Sequence, residues 1–205
     1  MQRYRYHLLA VVLIVLDQAT KLAVKGFSIL GIEHAGMHLG ESFDLIGSAV
    51  RITYVENPGM AFGISWGEAK IVLTLLTVVI ASFLWFYLRR LTEAHWTVQL
   101  AVALLLAGAT GNLIDRMFYG VLYDEAPLFY GLVVDFIQVD IPDIDWFGTT
   151  YTHWPVFNIA DSCVSVGIVM LLIFGGRLPS TTSEDVGEGA PASGEDAQIG
   201  SGHHD

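Results

Sequence analysis

Apolar residues in this chain gather into long, nearly uncharged runs instead of the shorter periodic stripes of a water-facing fold. Ile71–Leu88 is 18 residues without a charge, and Trp96–Ile114 is 19. Val156–Gly176 is 21 residues with a single charge, Asp161. A helix needs about 20 largely apolar residues to cross a hydrocarbon core, so each run predicts a spanning helix. Tyr6–Lys25 makes a fourth, interrupted by Asp17 and Lys21. Arg3 and Arg5 ahead of an apolar stretch also fit the start of a signal peptide. The polar Asp17-Gln18-Ala19-Thr20-Lys21 stretch does not look like a cleavage region, however, and apolar residues resume after it. The expected architecture is a mainly α membrane protein of four transmembrane helices, about 6–25, 70–88, 96–116 and 156–175.

Two long connections remain, about 27–69 and 117–155. In the first, Ser42–Phe62 contains the β-branched stretch Ala49-Val50-Arg51-Ile52-Thr53-Tyr54-Val55 between glycine-rich turns. It predicts a small β-sheet element on the extracytoplasmic face. Basic residues near helix ends set the orientation. With the N-terminus inside, the inner flanks hold Arg3, Arg5, Arg89, Arg90 and Arg177, and the outer flanks hold Lys25, Arg51 and Lys70, five against three. Both termini are then cytoplasmic. Tyr4, Tyr6, Trp66, Trp85, Tyr87, Trp96, Trp146 and Trp154 fall near presumed interfaces, as anchoring aromatics do.

Composition sharpens this reading. Only 15% of the 205 residues are charged, and the mean hydropathy is +0.53. The formal charge of −11 is partly a property of the tail. Residues 178–205 carry six acids (Glu184, Asp185, Glu188, Glu195, Asp196, Asp205) and no Lys or Arg, leaving 15 acids against 10 bases elsewhere. Rich in Gly, Ser, Pro and Ala, that tail is expected to be disordered, after a single membrane domain over 1–177. Without a basic surface, nucleic-acid binding loses its electrostatic basis. The single cysteine, Cys163, excludes a disulfide framework or a cysteine-rich metal site and reads as a small packed thiol.

Ionisable groups inside a span are expensive unless paired or facing a wet cavity. Asp17 and Lys21 lie four apart on one helix face, acid before base, and read as a structural ion pair facing the bundle. Asn112, Asp115 and Arg116 share a face just after Gly108-Ala109-Thr110-Gly111, whose small residues permit close helix approach. That trio predicts a scaffolding network of amide, carboxylate and guanidinium. Asp135 stands in Leu132-Val133-Val134-Asp135-Phe136-Ile137 with no basic neighbour. Asp161 opens the fourth helix on the same face as Asn158, where a helix-start acid is also ordinary. Were Asp135 and Asp161 to meet, they could not both ionise at neutral pH. One would hold a proton while the other deprotonates a water.

Other chemistries find no signature. The chain has no Gly-x-Ser-x-Gly elbow and no His-Glu-x-x-His. His153 reads as an interfacial residue, and His203 and His204 as part of a solvated tail.

Several separated blocks, in order, resemble bacterial lipoprotein signal peptidases, the signal peptidase II family. They are Asp17-Gln18-Ala19-Thr20-Lys21, Asn57-Pro58-Gly59-Met60-Ala61-Phe62-Gly63, Gly108-Ala109-Thr110-Gly111-Asn112-Leu113-Ile114-Asp115-Arg116, Val133-Val134-Asp135-Phe136-Ile137 and Phe157-Asn158-Ile159-Ala160-Asp161-Ser162. The resemblance implies an aspartic endopeptidase of the bacterial cytoplasmic (inner) membrane. Such an enzyme removes the signal peptide from diacylglyceryl-modified prolipoproteins just before the lipidated cysteine. It implies Asp135 and Asp161 as catalytic residues. Asp17, Lys21, Asn57, Gly59, Asn112, Asp115, Arg116 and Asn158 would then line or support the site. It also implies no metal or organic cofactor, inhibition by cyclic depsipeptides such as globomycin, and contact with membrane lipids. A monomer with its site toward the extracytoplasmic face is expected.

The chain departs from the family between Arg116 and Val133 and again over Val139–His153, where its connections look extended. Two other readings compete with the protease. A proton- or cation-coupled transporter would use Asp17, Asp115, Asp135 and Asp161 as a relay, although no internal repeat supports it. An assembly factor would recruit a partner strand to the β-element.

Overall fold

A computed structural model of the chain describes residues 4–29, 31–59, 70–146 and 149–177. The motif residues Met60–Gly63, Trp66, Arg3 and the acidic tail with His203 and His204 lie outside the described residues.

Helix α1 runs over Arg5–Lys25, α2 over Lys70–Arg90 and α3 over Trp96–Ile114. Helix α3 continues through a π-helical turn, Asp115–Tyr119, and a last α-turn, Gly120–Leu122. Helix α4 is Ile159–Phe174, followed by a 3-10 turn over Gly175–Arg177. Among the described residues, three helices are long and apolar enough to cross a membrane: Arg5–Lys25, Lys70–Arg90 and Trp96–Leu122. The fourth apolar helix has 16 residues and starts three residues later than the hydropathy predicts, because Asn158 caps it. The third helix overshoots its expected end at 116. The π-turn absorbs one extra residue per turn without breaking the helix.

Helix α3 is the central element, packed against all three others. Its close neighbour is α4, and the reason lies in the small residues. A Cβ on Gly108 would fall 2.3 Å from the Ala160 carbonyl, and one on Gly111 would fall 2.6 Å from an Asp17 carboxylate oxygen. Ala10, Leu88, Leu91, Val98, Val102, Ala103, Leu106 and Ala107 fill the half of the bundle remote from the strands. The outward faces stay apolar: Val72, Leu76, Val79, Phe83 and Phe86 on α2 are exposed. So are Val166, Val169, Leu172 and Ile173 on α4. Surfaces of that extent suit lipid, not water.

The helices alternate in direction, so the end of α1, the start of α2, the end of α3 and the start of α4 meet at one end. All the strands are there. β1 (Phe27–Ile29) and β2 (Ile32–His34) form a small antiparallel hairpin directly after α1. β3 (Ser42–Ile46), β4 (Val50–Asn57), β5 (Val133–Trp146) and β6 (Thr149–His153) form an antiparallel sheet in that order. The β-prediction for the first connection holds, but the sheet is larger than expected. The second connection supplies half of it, and Asp135 lies on β5. Val24, Tyr54, Tyr119, Val134 and Phe136 form a second core that joins the sheet to α1 and α3.

Candidate active site

The polar residues of α1 and α3 close on one another in the half of the bundle beside the sheet. Lys21 Nζ lies 2.9 Å from Asp17 Oδ2 and 2.7 Å from Asp115 Oδ2, and donates to Asn112 Oδ1 at 2.9 Å. Asp17, Lys21 and Asp115 are all essentially sealed from solvent. The helical spacing of four makes the first pair, as expected. The expected network of Asn112, Asp115 and Arg116 does not form. Asp115 turns instead to Lys21, to Gln18 Nε2 at 2.9 Å and to the Val134 N–H at 3.2 Å. A buried carboxylate takes the cation that can reach it, and Lys21 occupies the interior side of α3. Arg116 makes no ion pair with any described residue.

Each member of this cluster holds a different element. Asp17 Oδ1 accepts the Ala160 N–H at 2.9 Å, satisfying a free donor in the first turn of α4. Asp115 accepts from β5. Gln18, not among the expected site residues, bridges Asp17 and Asp115 and the Gly111 carbonyl, and accepts from the Tyr119 hydroxyl. Its place beside Asp17 in the first block was the available signal.

A second cluster grows from the first through two amides. Asn112 Nδ2 donates to Asp161 Oδ1 at 2.7 Å, and Asn158 Nδ2 donates to Asn112 Oδ1 at 3.0 Å and Asp135 Oδ1 at 2.7 Å. Asn158 and Asp161 also form a capping box, so the helix-start role weighed for Asp161 is real as well. From the opposite side, Asn57 Nδ2 donates to Asp135 Oδ2 at 3.1 Å. Gly59 makes that contact possible. At φ +94° it turns the chain so that its N–H donates to Asn57 Oδ1 at 2.9 Å, which leaves the amide nitrogen facing Asp135. Asp135 is 2% exposed, and no cation among the described residues is paired with it. Burial first, and the Asp161 charge second, push its carboxyl up to about 7, against the opposing pull of the Asn57 hydrogen bond.

Asp135, Asp161 and Asn57 line one end of a cavity of about 720 Å³. Val139, Ile141, Trp154 and Pro155 from the β5–β6 region wall it on one side, and Ser162, Ser165 and Val166 of α4 on the other. Two carboxyl groups, one of them with its proton affinity raised, on a mostly apolar cavity form a setting in which water could be activated against an apolar substrate.

The family model for signal peptidase (SPase) II matches residues 9–175, which contain every residue of both clusters. The chain belongs to the signal peptidase II family. It is 37% identical over 172 residues to a lipoprotein signal peptidase of Chlorobium phaeobacteroides, covering 84% of this chain and 96% of that one. It is 33% identical over 216 residues to one from Porphyromonas gingivalis, covering 86% and 90%. A solved structure described as a bacterial membrane enzyme at 1.9 Å resolution is 31% identical, with a TM-score of 0.59 over 86% of this chain and 94% of that one. The protein is thus a membrane protease of this family. The transporter reading loses ground on geometry too, because Asp17, Asp115, Asp135 and Asp161 gather at one end instead of spacing a relay along the bundle.

Proposed function

We propose that this signal peptidase II homologue is an aspartic endopeptidase acting on diacylglyceryl-modified prolipoproteins, with Asp135 and Asp161 as its dyad. The observation that carries the reading is their arrangement: two carboxylates, joined through Asn112 and Asn158, on one cavity, with no cation among the described residues paired to them. Burial and the neighbouring Asp161 charge raise the proton affinity of Asp135, which makes it the proton-holding member in this reading. Asp161, in the first turn of α4, stays available as the base. It takes a proton from water as that water attacks the carbonyl before the lipidated cysteine, while the Asp135 O–H donates to the carbonyl oxygen. The tetrahedral intermediate then collapses. The C–N bond breaks, a dyad proton passes to the leaving nitrogen, and the products are a signal-peptide carboxylate and the free α-amine of the lipidated cysteine. Asn57, Asn112 and Asn158 hold the carboxylates, and Arg116 contributes positive potential to them without pairing.

In this reading the chain crosses the bacterial cytoplasmic membrane four times with both termini inside. α4 with its 3-10 turn extends about 30 Å, the thickness of a hydrocarbon core. The sheet and dyad then lie toward the extracytoplasmic face, where a lipid-anchored peptide presents its cleavage site. Membrane lipids surround the bundle, and a cyclic depsipeptide such as globomycin competes for the dyad cavity. The test is cleavage of a diacylglyceryl-modified prolipoprotein by the purified protein in detergent. Wild type is expected to cut before the lipidated cysteine, with folded Asp135→Asn and Asp161→Asn inactive. An Asn variant that keeps near-wild-type turnover removes that residue from the dyad.

A further inference from the structure

The face of α1 that carries Asp17 and Lys21 does not stop there. Lys25, one more turn along, ends the helix with its side chain only 5% exposed. Its Nζ pairs with Glu56 of β4 and with both carboxylate oxygens of Glu125, at 2.8 and 2.9 Å, and sits 4.3 Å above the Tyr123 ring. Tyr54 donates its hydroxyl to the same Glu56 oxygen at 2.5 Å, and Tyr123 donates to the Gly26 carbonyl at 2.6 Å. None of these residues touches the dyad. Alternation along a strand shows what they do. Tyr54 and Glu56 face Lys25, so Val55 and Asn57 face the other way. Val55 lies opposite Asp135, and Asn57 lies opposite Val133, one diagonal step from Asp135. Glu56 is therefore the anchor on the back of β4 for the residue that grips Asp135 on its front. Glu125 belongs to the connection in which this chain departs from its family. The same lysine thereby ties that connection to the strand.

We infer that Lys25 is a positioning residue: through Glu56 it holds the end of β4 so that Asn57 keeps its hydrogen bond to Asp135. The inference rests on the proposed dyad. Asp135 is also faced by Asp161 and Asn158 at the start of α4, by Lys21 of α1 and by Arg116 of the π-turn. None of these is altered when Lys25 is replaced. Asn57 donates to the ionised carboxylate, so loosening it favours the protonated form.

The experiment compares wild type, Lys25→Met, Lys25→Arg, Glu125→Gln, Asn57→Ala and the double variant Lys25→Met/Asn57→Ala. Two quantities are read: the pH profile of prolipoprotein cleavage, and the carboxyl titration of Asp135 by isotope-edited infrared spectroscopy. Lys25→Met is expected to lower kcat about tenfold with KM little changed, and to move the alkaline limb and the Asp135 titration upward by roughly half a pH unit. Lys25→Arg restores both, and Glu125→Gln leaves both where they were. In the Asn57→Ala background Lys25→Met adds no further shift, because the residue it works through is gone. Should Lys25→Met not fold, Lys25→Met/Glu56→Gln removes the tie without leaving Glu56 charged and alone, and the same shift is expected. A less stable variant with the wild-type limb and titration would overturn the inference and make Lys25 a purely structural tie. Loss of cleavage in wild type itself would sink the proposed function instead, and the infrared titration would still decide the role of Lys25.

Discussion

Asp17 and Asp115 are as deeply buried as Asp135, at 1%, 0% and 2% exposure, yet their surroundings differ in kind. The first two share Lys21 and accept backbone N–H groups from α4 and β5. Asp135 has two side-chain amides, a neighbouring carboxylate and an open cavity. A compensated buried charge braces a fold, while an uncompensated one holds a proton near neutral pH. Asn112 and Asn158 join the two clusters and so pass the alignment of the braced set to the proposed dyad. The proposed dyad thus lies next to a buried ionic cluster without being neutralised by it.

Removing either half of the reactive pair tests the comparison with the largest effect. Asp135→Asn and Asp161→Asn should each lower kcat by about 10⁴-fold, measured by single-turnover cleavage in detergent, with the fold intact by circular dichroism. Breaking the braced cluster should act on stability first. Lys21→Met leaves Asp17 and Asp115 facing one another without a cation and should cost about 3–5 kcal/mol in thermal or denaturant unfolding. An unchanged melting temperature there would mean the two clusters are less different than their geometry suggests.

The pH dependence sharpens the contrast. With the Asp135 carboxyl at about 7, the proposed mechanism requires cleavage to fall as pH rises through that value, because Asp135 then loses the proton it donates. The group's folded value exceeds its unfolded one of about 4, so the folded state binds the extra proton. Stability from this group is complete below about pH 4 and is lost as pH rises toward about 7. Asp135→Asn should remove that slope, leaving the inactive variant the more stable protein at pH 8. Asp161→Asn should move the Asp135 titration downward, since it removes the second-largest cause of the upward shift.

The smallest effect belongs to the acidic tail. Truncation after Leu178 should leave kcat/KM within about twofold of wild type, as expected for a segment whose composition cannot bury a core. A large loss would give the tail a function that its composition does not suggest.

Much of this molecule was legible before any coordinates. Bilayer-length apolar runs have few alternatives, so the four apolar helices could be read directly, three of them long enough to cross a membrane among the described residues, along with the Asp17–Lys21 pair and the Gly108–Gly111 contact surface. These are local periodicities, and helix geometry converts them into position without further information. Partner choice was not readable. Asp115 sits beside Arg116 in sequence and pairs with Lys21 across the bundle. Gln18 links two helices, and Asp135 joins β4 from the second long connection. Such outcomes depend on which groups a folded interior brings within hydrogen-bond reach and which it leaves without a cation. The sequence determined which charges would be buried. The packing of α1, α3, α4 and β5 decided which of them are neutralised, because compensation acts through space and not along the chain.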